Sequence, residues 1–469
     1  MIVFSNTITP RLRYITDFIG KEIGGTAFVL TDNMDDFKNS GDLKINYSNE
    51  RIAADEFWLQ PHTLLFEKNS KQQNTECFEV NNNKAFFKTE GDLPFDIFAA
   101  SFYLLGRYEE YLPHKKDMYG RYAHENSLAF QENFLNLPLI NIWLQYFKEK
   151  LKQKFPSFTI HHSLFTFLPT YDIDEAFCYK YKSKWRTWGG YLRSIVKGQW
   201  WEVKERKDVL RGLLDDPYDS FDWIRNLHDD RHYLDAYFFI LVAEKTSRYD
   251  KNNSPYNKNI QELFQDFFSR NQEPIRYGAE KPYLLPGLHP SWKSGDKPEL
   301  LKKERDILFD HISSESRYDS RQHFIRFTLP ATFRQLIEAG TDNDFSMGYG
   351  SINGFRASTS SSFYWYDLAA EKSTSLMLHP FCYMDANSFY EQKQTPEQAL
   401  EEMLYYFDIV KTYGGTMISI WHNTFLGTHR RFAGWRETYR QFINHIYYKI
   451  PFVNEQVDKE GMDKKHFPG

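Results

Sequence analysis

Between residues 164 and 421, short apolar runs alternate with amphipathic stretches, and this alternation restricts the fold more than any other property of the chain. The runs at 164–174, 235–242, 321–327 and 416–421 are rich in aromatic and β-branched residues and have the length of strands. The segments 203–214, 221–228, 259–269, 297–312 and 330–339 carry apolar residues at helical spacing. Pro330 can open its helix because a first-turn residue needs no N–H, and Gly340 supplies the stop. Thr395-Pro-Glu-Gln has the form of a capping box, which predicts a helix to about residue 412 that ends at Gly414-Gly415. Strands and helices taken in turn predict a mostly parallel sheet, open or closed into a barrel. Such sheets collect their chemistry at the C-terminal ends of the strands.

Residues 1–155 read as a separate, smaller α/β domain. Apolar runs at 2–4 and 27–30 flank a helical stretch at 12–19, and 94–111 is apolar at helical spacing. Pro138 opens an amphipathic stretch that runs into the lysine-rich 148–154, and Pro156 marks the boundary. A second domain is expected over 160–450, with a C-terminal tail at 451–469. No catalytic motif stands out in the first domain.

Composition removes several classes of function. A net charge of −5 with both signs interspersed argues against a nucleic-acid-binding or polybasic membrane surface. No apolar run reaches the length of a membrane span, and the first residues lack the basic and apolar regions of a secretory signal. Cys77, Cys178 and Cys382 are too far apart for a CxxC knot or a disulfide framework, which fits a reduced compartment. The expectation is a soluble, cytoplasmic protein. Aromatic residues make up 18% of the chain; most should fill cores, and some suit the C–H face of a sugar ring.

The candidate chemistry sits past the strand-like runs. Thr170-Tyr-Asp-Ile-Asp174 ends one of them. Alternation along a strand points Asp172 and Asp174 the same way, roughly 7 Å apart. Two carboxylates at the end of an apolar strand are costly to bury without positive charge beside them, although such residues also serve as plain loop or helix caps. His289 lies in a loop punctuated by Gly287 and Pro290, His323 enters a strand, and His422 follows the β-run 417–421. Together with the paired aspartates they point to metal or acid–base chemistry. His379 reads as structural. The glycine-rich 345–357 lacks the lysine of a P-loop and the spacing of a dinucleotide fingerprint, so it reads as a mobile loop flanking the site. Arg356 in it could meet an anionic group, and Tyr349, Trp292 and Trp421 are further candidate substrate contacts.

These motifs, in this order, resemble the NodB-homology polysaccharide deacetylases over about 160–450. The resemblance implies a distorted (β/α)7-type barrel preceded by the smaller α/β domain. It implies that Asp172 is the general base, Asp174 a metal ligand, His289 the first histidine ligand, Arg321 the group that orients the base, and His422 the general acid. The chain departs from the pattern where a second histidine should follow His289 by four residues, since Lys293 stands there. A protonated ammonium cannot ligate a metal, so either His323 is the third ligand, or the site is weakened, or the protein is a non-catalytic relative. The proline-tyrosine-glycine part of the third motif is absent, and a long insertion at 179–219 places the chain on a divergent branch, similar to proteins of bacterial surface-polysaccharide clusters.

The activity implied is metal-dependent hydrolysis of an N- or O-acetyl group on a sugar or oligosaccharide. The implied cofactor is a divalent ion, with zinc suited to oxygen and nitrogen ligands and nickel, cobalt or manganese as alternatives. A non-catalytic glycan-binding or assembly protein that keeps the barrel is the alternative, favoured by Lys293. A glycosidase ranks last, because carboxylates two apart on one strand are poorly placed to flank a glycosidic bond.

Overall fold

The computed structural model describes residues 1–161, 164–229, 235–269, 284–311 and 318–449. The expected tail 451–469, and residue 312 at the end of one expected helix, lie outside them.

The first 156 residues begin with a small parallel sheet. Its strands β1 (Ile2–Phe4), β2 (Val29–Thr31), β3 (Lys44–Tyr47) and β4 (Glu56–Leu59) lie in the order β2-β1-β3-β4. The helix Pro10–Gly24 makes the first crossover. Thr9 caps it by accepting from Leu12 N, proline opens it, and Gly25 ends it at φ 73°. Leu12, Ile15, Ile19 and Ile23 form its fully buried stripe. The hairpin β5 (Phe78–Val80) and β6 (Asn83–Ala85) follows. The helix Ile97–Leu105 is buried along its whole length, which explains why its apolar residues show so little polar alternation.

The large sheet contains β7 (Phe165–Ile173), β8 (Ala236–Leu241), β9 (Leu284–His289), β10 (Asp319–Ser320), β11 (Asn343–Asp344), β12 (Phe363–Asp367), β13 (Lys372–Leu378), β14 (Tyr383–Met384) and β15 (Gly415–His422). Their order is β12-β13-β11-β10-β9-β8-β7-β15-β14, and every pairing is parallel except β12 with β13. The expected barrel of about seven strands is therefore corrected to a nine-stranded sheet that no strand pairing among the described residues closes. Its far sides still come near each other. β13 and β14 stand near opposite ends of the order, yet residues 379–382 alone join them, a reach of at most about 17 Å. That linker is held on both sides, since His379 N donates to Asp344 O (2.9 Å) and Cys382 N to Ile418 O (3.2 Å).

The helix Pro396–Tyr413 has both halves of its capping box, and Ala331–Glu338 forms where the proline and glycine signals put a helix. Two local expectations are corrected. His289 ends strand β9 and is not in a loop. The run 321–327 is not a strand; β10 stops at Ser320, and Phe324 (φ 61°) and Ile325 (φ 55°) are left-handed, which a strand cannot accommodate. The helix expected at 203–214 is present with shifted ends, as Trp200–Leu210, and a further helix, Lys184–Val196, precedes it in the stretch read as an insertion.

Candidate active site

Strand register gathers the site. His422 on β15 lies directly opposite Asp172 on β7, so the two side chains leave adjacent strands on the same face. On the other side of β7, β8 and β9 are stacked in register until Leu241 meets His289. Asp174 follows β7 by one residue. Arg321 and His323 come just after β10. All six groups are thus delivered at the C-terminal ends of parallel strands, where an open sheet keeps a crevice.

The ring nitrogens of both inner histidines are set by what their far sides touch. His289 Nδ1 lies 2.6 Å from the Arg321 carbonyl, an acceptor only, so this nitrogen carries the proton. His289 Nε2 then faces Asp174 Oδ1 at 3.2 Å. His323 Nδ1 donates to Asp250 Oδ1 at 3.0 Å, and its Nε2 lies 3.4 Å from Asp174 Oδ2. One ligand atom from each of Asp174, His289 and His323 lies within 4.8 Å of the others. Two lone pairs facing one carboxylate repel unless a proton or a cation stands between them. Asp174 Oδ1 is also buried without a hydrogen-bond partner. The short separations match the ligand-to-ligand edges, about 3.3–3.5 Å, of a tetrahedral zinc site. The donor set therefore fits a divalent metal. Both histidines have the second hydrogen bond that normally fixes a metal-binding imidazole.

Electrostatics agree with that geometry. Burial acts to raise the Asp174 carboxyl, but His323, His289 and His422 outweigh it and hold it well below the usual carboxylate range. Burial acts to lower His323, and the surrounding Asp174 and Asp250 push it up to about 9. Burial likewise works against His422, and Asp385 and the two site aspartates push it up to about 10. Asp385 accepts both His422 Nδ1–H (2.6 Å) and the backbone N–H of the same residue (2.7 Å), leaving Nε2 pointed at the cluster, 3.8 Å from Asp174. Asp172 is clamped by Arg321, whose Nη1 donates to Oδ1 at 2.8 Å, while its Nε holds the Phe345 carbonyl. The guanidinium lies 4.3 Å from the centre of the Phe239 ring. Gly287 makes room for that ring, because a Cβ there would come within 2.6 Å of it. Among these groups Asp174 and His422 are the most open, 29% and 13% exposed, so the site faces solvent over them.

Lys293 is exposed and outside the cluster, and His323 occupies the third position. His379 is engaged with Ser362 and Asn343 and stacks on Phe345. Three of the four expected substrate contacts are corrected. Arg356 is fully buried and its charge is taken by Glu110, with contacts of 2.9 and 2.6 Å. Tyr349 is buried beside Arg107 and Arg356. Trp421 has no exposed surface and packs on Tyr439. The glycine-rich segment is therefore a packed wall rather than a mobile flap. Trp292 alone remains half-exposed, stacked between Tyr249 and Arg326. Asp250 and Asp385 are functional candidates that the sequence did not reveal. Their one signal is position, since Asp385 directly follows β14 and Asp250 lies in the segment that follows β8.

The N-terminal part, residues 1–156, matches a family of unknown function, DUF7033. No curated protein matches the chain. Among solved structures the chain is similar to a Mycobacterium smegmatis protein whose assignment as a polysaccharide deacetylase is provisional. The identity is 13% and the TM-score 0.37, over 66% of this chain and 93% of that one. Likeness at that level fixes neither fold nor chemistry.

Proposed function

We propose that this protein is a metal-dependent hydrolase that removes an acetyl group, N- or O-linked, from a carbohydrate. The observation that carries the reading is the convergence of Asp172, Asp174, His289, His323 and His422 on one face, with Asp172 and the three histidines each held by a buried partner. Asp174, His289 and His323 would hold the ion, with zinc the best match to their donors, and when bound it supplies Lewis acidity toward a carbonyl oxygen. Asp172, with one oxygen fixed by Arg321, accepts the proton of the water that attacks the acetyl carbon. His422 donates from Nε2 to the departing amine nitrogen or alkoxide oxygen, and Asp385 keeps the ring charged and aimed. Base and acid therefore reach the reacting centre from two adjacent strands. Trp292 supports a sugar contact at the rim. Three cysteines, all free, suit a reducing, cytoplasmic setting. A non-catalytic glycan-binding role drew its support from Lys293 in place of a histidine; His323 in the third position of the cluster favours the hydrolase reading over it.

The test is acetate release from a panel of N- and O-acetylated sugars by the metal-loaded protein. Asp172→Asn and His422→Ala should each lower the rate about 10²–10⁴-fold while metal content stays constant. Metal-replete protein that frees no acetate from any member of the panel would refute the reading, as would activity indifferent to both substitutions.

A further inference from the structure

The helix Lys184–Val196 is built inside out. Among its residues only Ser194 is buried. At 100° per residue, Trp185, Trp188, Leu192, Ile195 and Val196 fall in one arc of about 100°, opposite Ser194. That arc faces solvent: Trp185 is 88% exposed, Trp188 71% and Val196 77%. The small face packs inward instead. Gly190 lies against the Arg206 guanidinium of the next helix, which sits over Tyr179 and Tyr191. An apolar stripe of this kind turned to water marks an interaction surface.

Charge identifies the partner. Ten basic and three acidic side chains occupy residues 180–211, a local surplus of positive charge in a chain whose net charge is −5. Lys184, Arg193 and Lys197 are exposed on or beside this helix, and Lys204, Lys207 and Arg211 on the next. A second copy docked by two-fold symmetry would set these cations against each other. A bilayer interface with anionic headgroups accepts both features, with tryptophan and leucine in the acyl boundary and lysine and arginine among the phosphates. The whole-chain charge, read as excluding a basic membrane surface, conceals this segment. We propose that the helix Lys184–Val196 docks the protein onto an anionic phospholipid surface. The docking stands apart from the reaction proposed above. It bears on the site through Arg186, which donates to Glu175 (3.0 Å), the residue after Asp174, and to the carbonyls of Asn252 (2.8 Å) and Lys251 (2.7 Å), beside Asp250. The docking helix is thus fastened to the rim of the cluster.

The full-length protein should cosediment with vesicles of phosphatidylcholine containing about 30% phosphatidylglycerol and much less with phosphatidylcholine alone. Raising the ionic strength to about 0.5 M, where the Debye length is roughly 4 Å, should release it. The combined change Lys184→Gln, Arg193→Gln and Lys197→Gln should weaken binding on the order of 100-fold, roughly fivefold per charge. Trp185→Ser with Trp188→Ser should abolish it, with an unchanged melting temperature as the check that these exposed sites leave the fold intact. Absence of vesicle binding at low salt, or binding unaffected by either variant, overturns the proposal. So does a dimer in sedimentation analysis that the tryptophan variant dissociates, since it would give the face to a second copy.

Discussion

Asp250 never touches the site carboxylates, yet replacing it should cost metal affinity. Its Oδ1 accepts from His323 Nδ1 at 3.0 Å and from Trp292 N at 2.9 Å, and its Oδ2 accepts from Ser247 Oγ at 2.7 Å. Among the described residues no other group bonds His323 Nδ1, so Nε2 points at Asp174 because Asp250 holds the opposite nitrogen. Asp250→Asn keeps an oxygen for both N–H donors and loses the charge and the acceptor for Ser247 Oγ. Asp250→Ala removes the acceptor, frees the ring and strands two buried N–H groups. Loss of such an outer partner typically lowers metal affinity 10–100-fold, about 1.4–2.8 kcal/mol. The asparagine variant should fall at the weak end and the alanine variant at the strong end. Competition between the apo protein and a chromophoric chelator for zinc, at fixed pH, measures this without any substrate. If Asp250→Ala binds zinc within about twofold of the wild type, His323 either does not ligate or is oriented by something else, and the orienting role given to Asp250 fails.

His323→Ala should lower the metal content of the purified protein, whereas Lys293→Ala, at an exposed position, should leave it unchanged; elemental analysis decides. Glu110 is a stability test. Burial acts to raise its carboxyl, but Arg356 and Arg107 outweigh this and lower it from 4.5 to about 2. A depressed carboxyl adds stability above its unfolded pKa and loses it as pH falls through the folded value. Glu110→Gln, which leaves two buried guanidiniums short of charge, should destabilise the protein by about 3–5 kcal/mol at neutral pH. That gap in denaturant titrations should narrow between pH 4.5 and about 2, and a constant gap would refute the assignment. Gly287→Ala should crowd Phe239 and cost about 1–3 kcal/mol, read as a lowered melting temperature; an unchanged one would mean that the ring yields freely.

The parts of this molecule legible in sequence are those with local causes. The capping box at Thr395 and the proline and glycine around 330–340 act within a few residues, so they give the helix ends directly. Asp172, Asp174 and His422 were visible because strands of readable length deliver them. β10 and β11, with two residues each, leave no periodicity, and the strand expected at 321–327 gave way to a left-handed turn. The glycine-rich segment was misread for a different reason. Its polarity suggests a surface loop, but Arg356 is neutralised by Glu110, 246 positions away, and no local pattern records that pairing. Asp250 and Asp385 escaped for the same cause, since their importance lies in which histidine they meet.

One contact ties the history of the two sheets together. Arg121, from the N-terminal part, donates to the Phe324 carbonyl at 3.0 Å and to the Gly350 carbonyl at 2.8 Å. It braces the left-handed turn that presents His323, from 203 positions upstream of Phe324. A recombination joining the first sheet of one lineage to the second sheet of another would separate Arg121 from its turn and Glu110 from Arg356. Descendants should therefore inherit these two halves as matched sets, and a change at 121 or 110 should be answered by one near 324 or 356. The N-terminal part is, in this respect, not a cassette that can be exchanged but part of the frame on which the site was shaped.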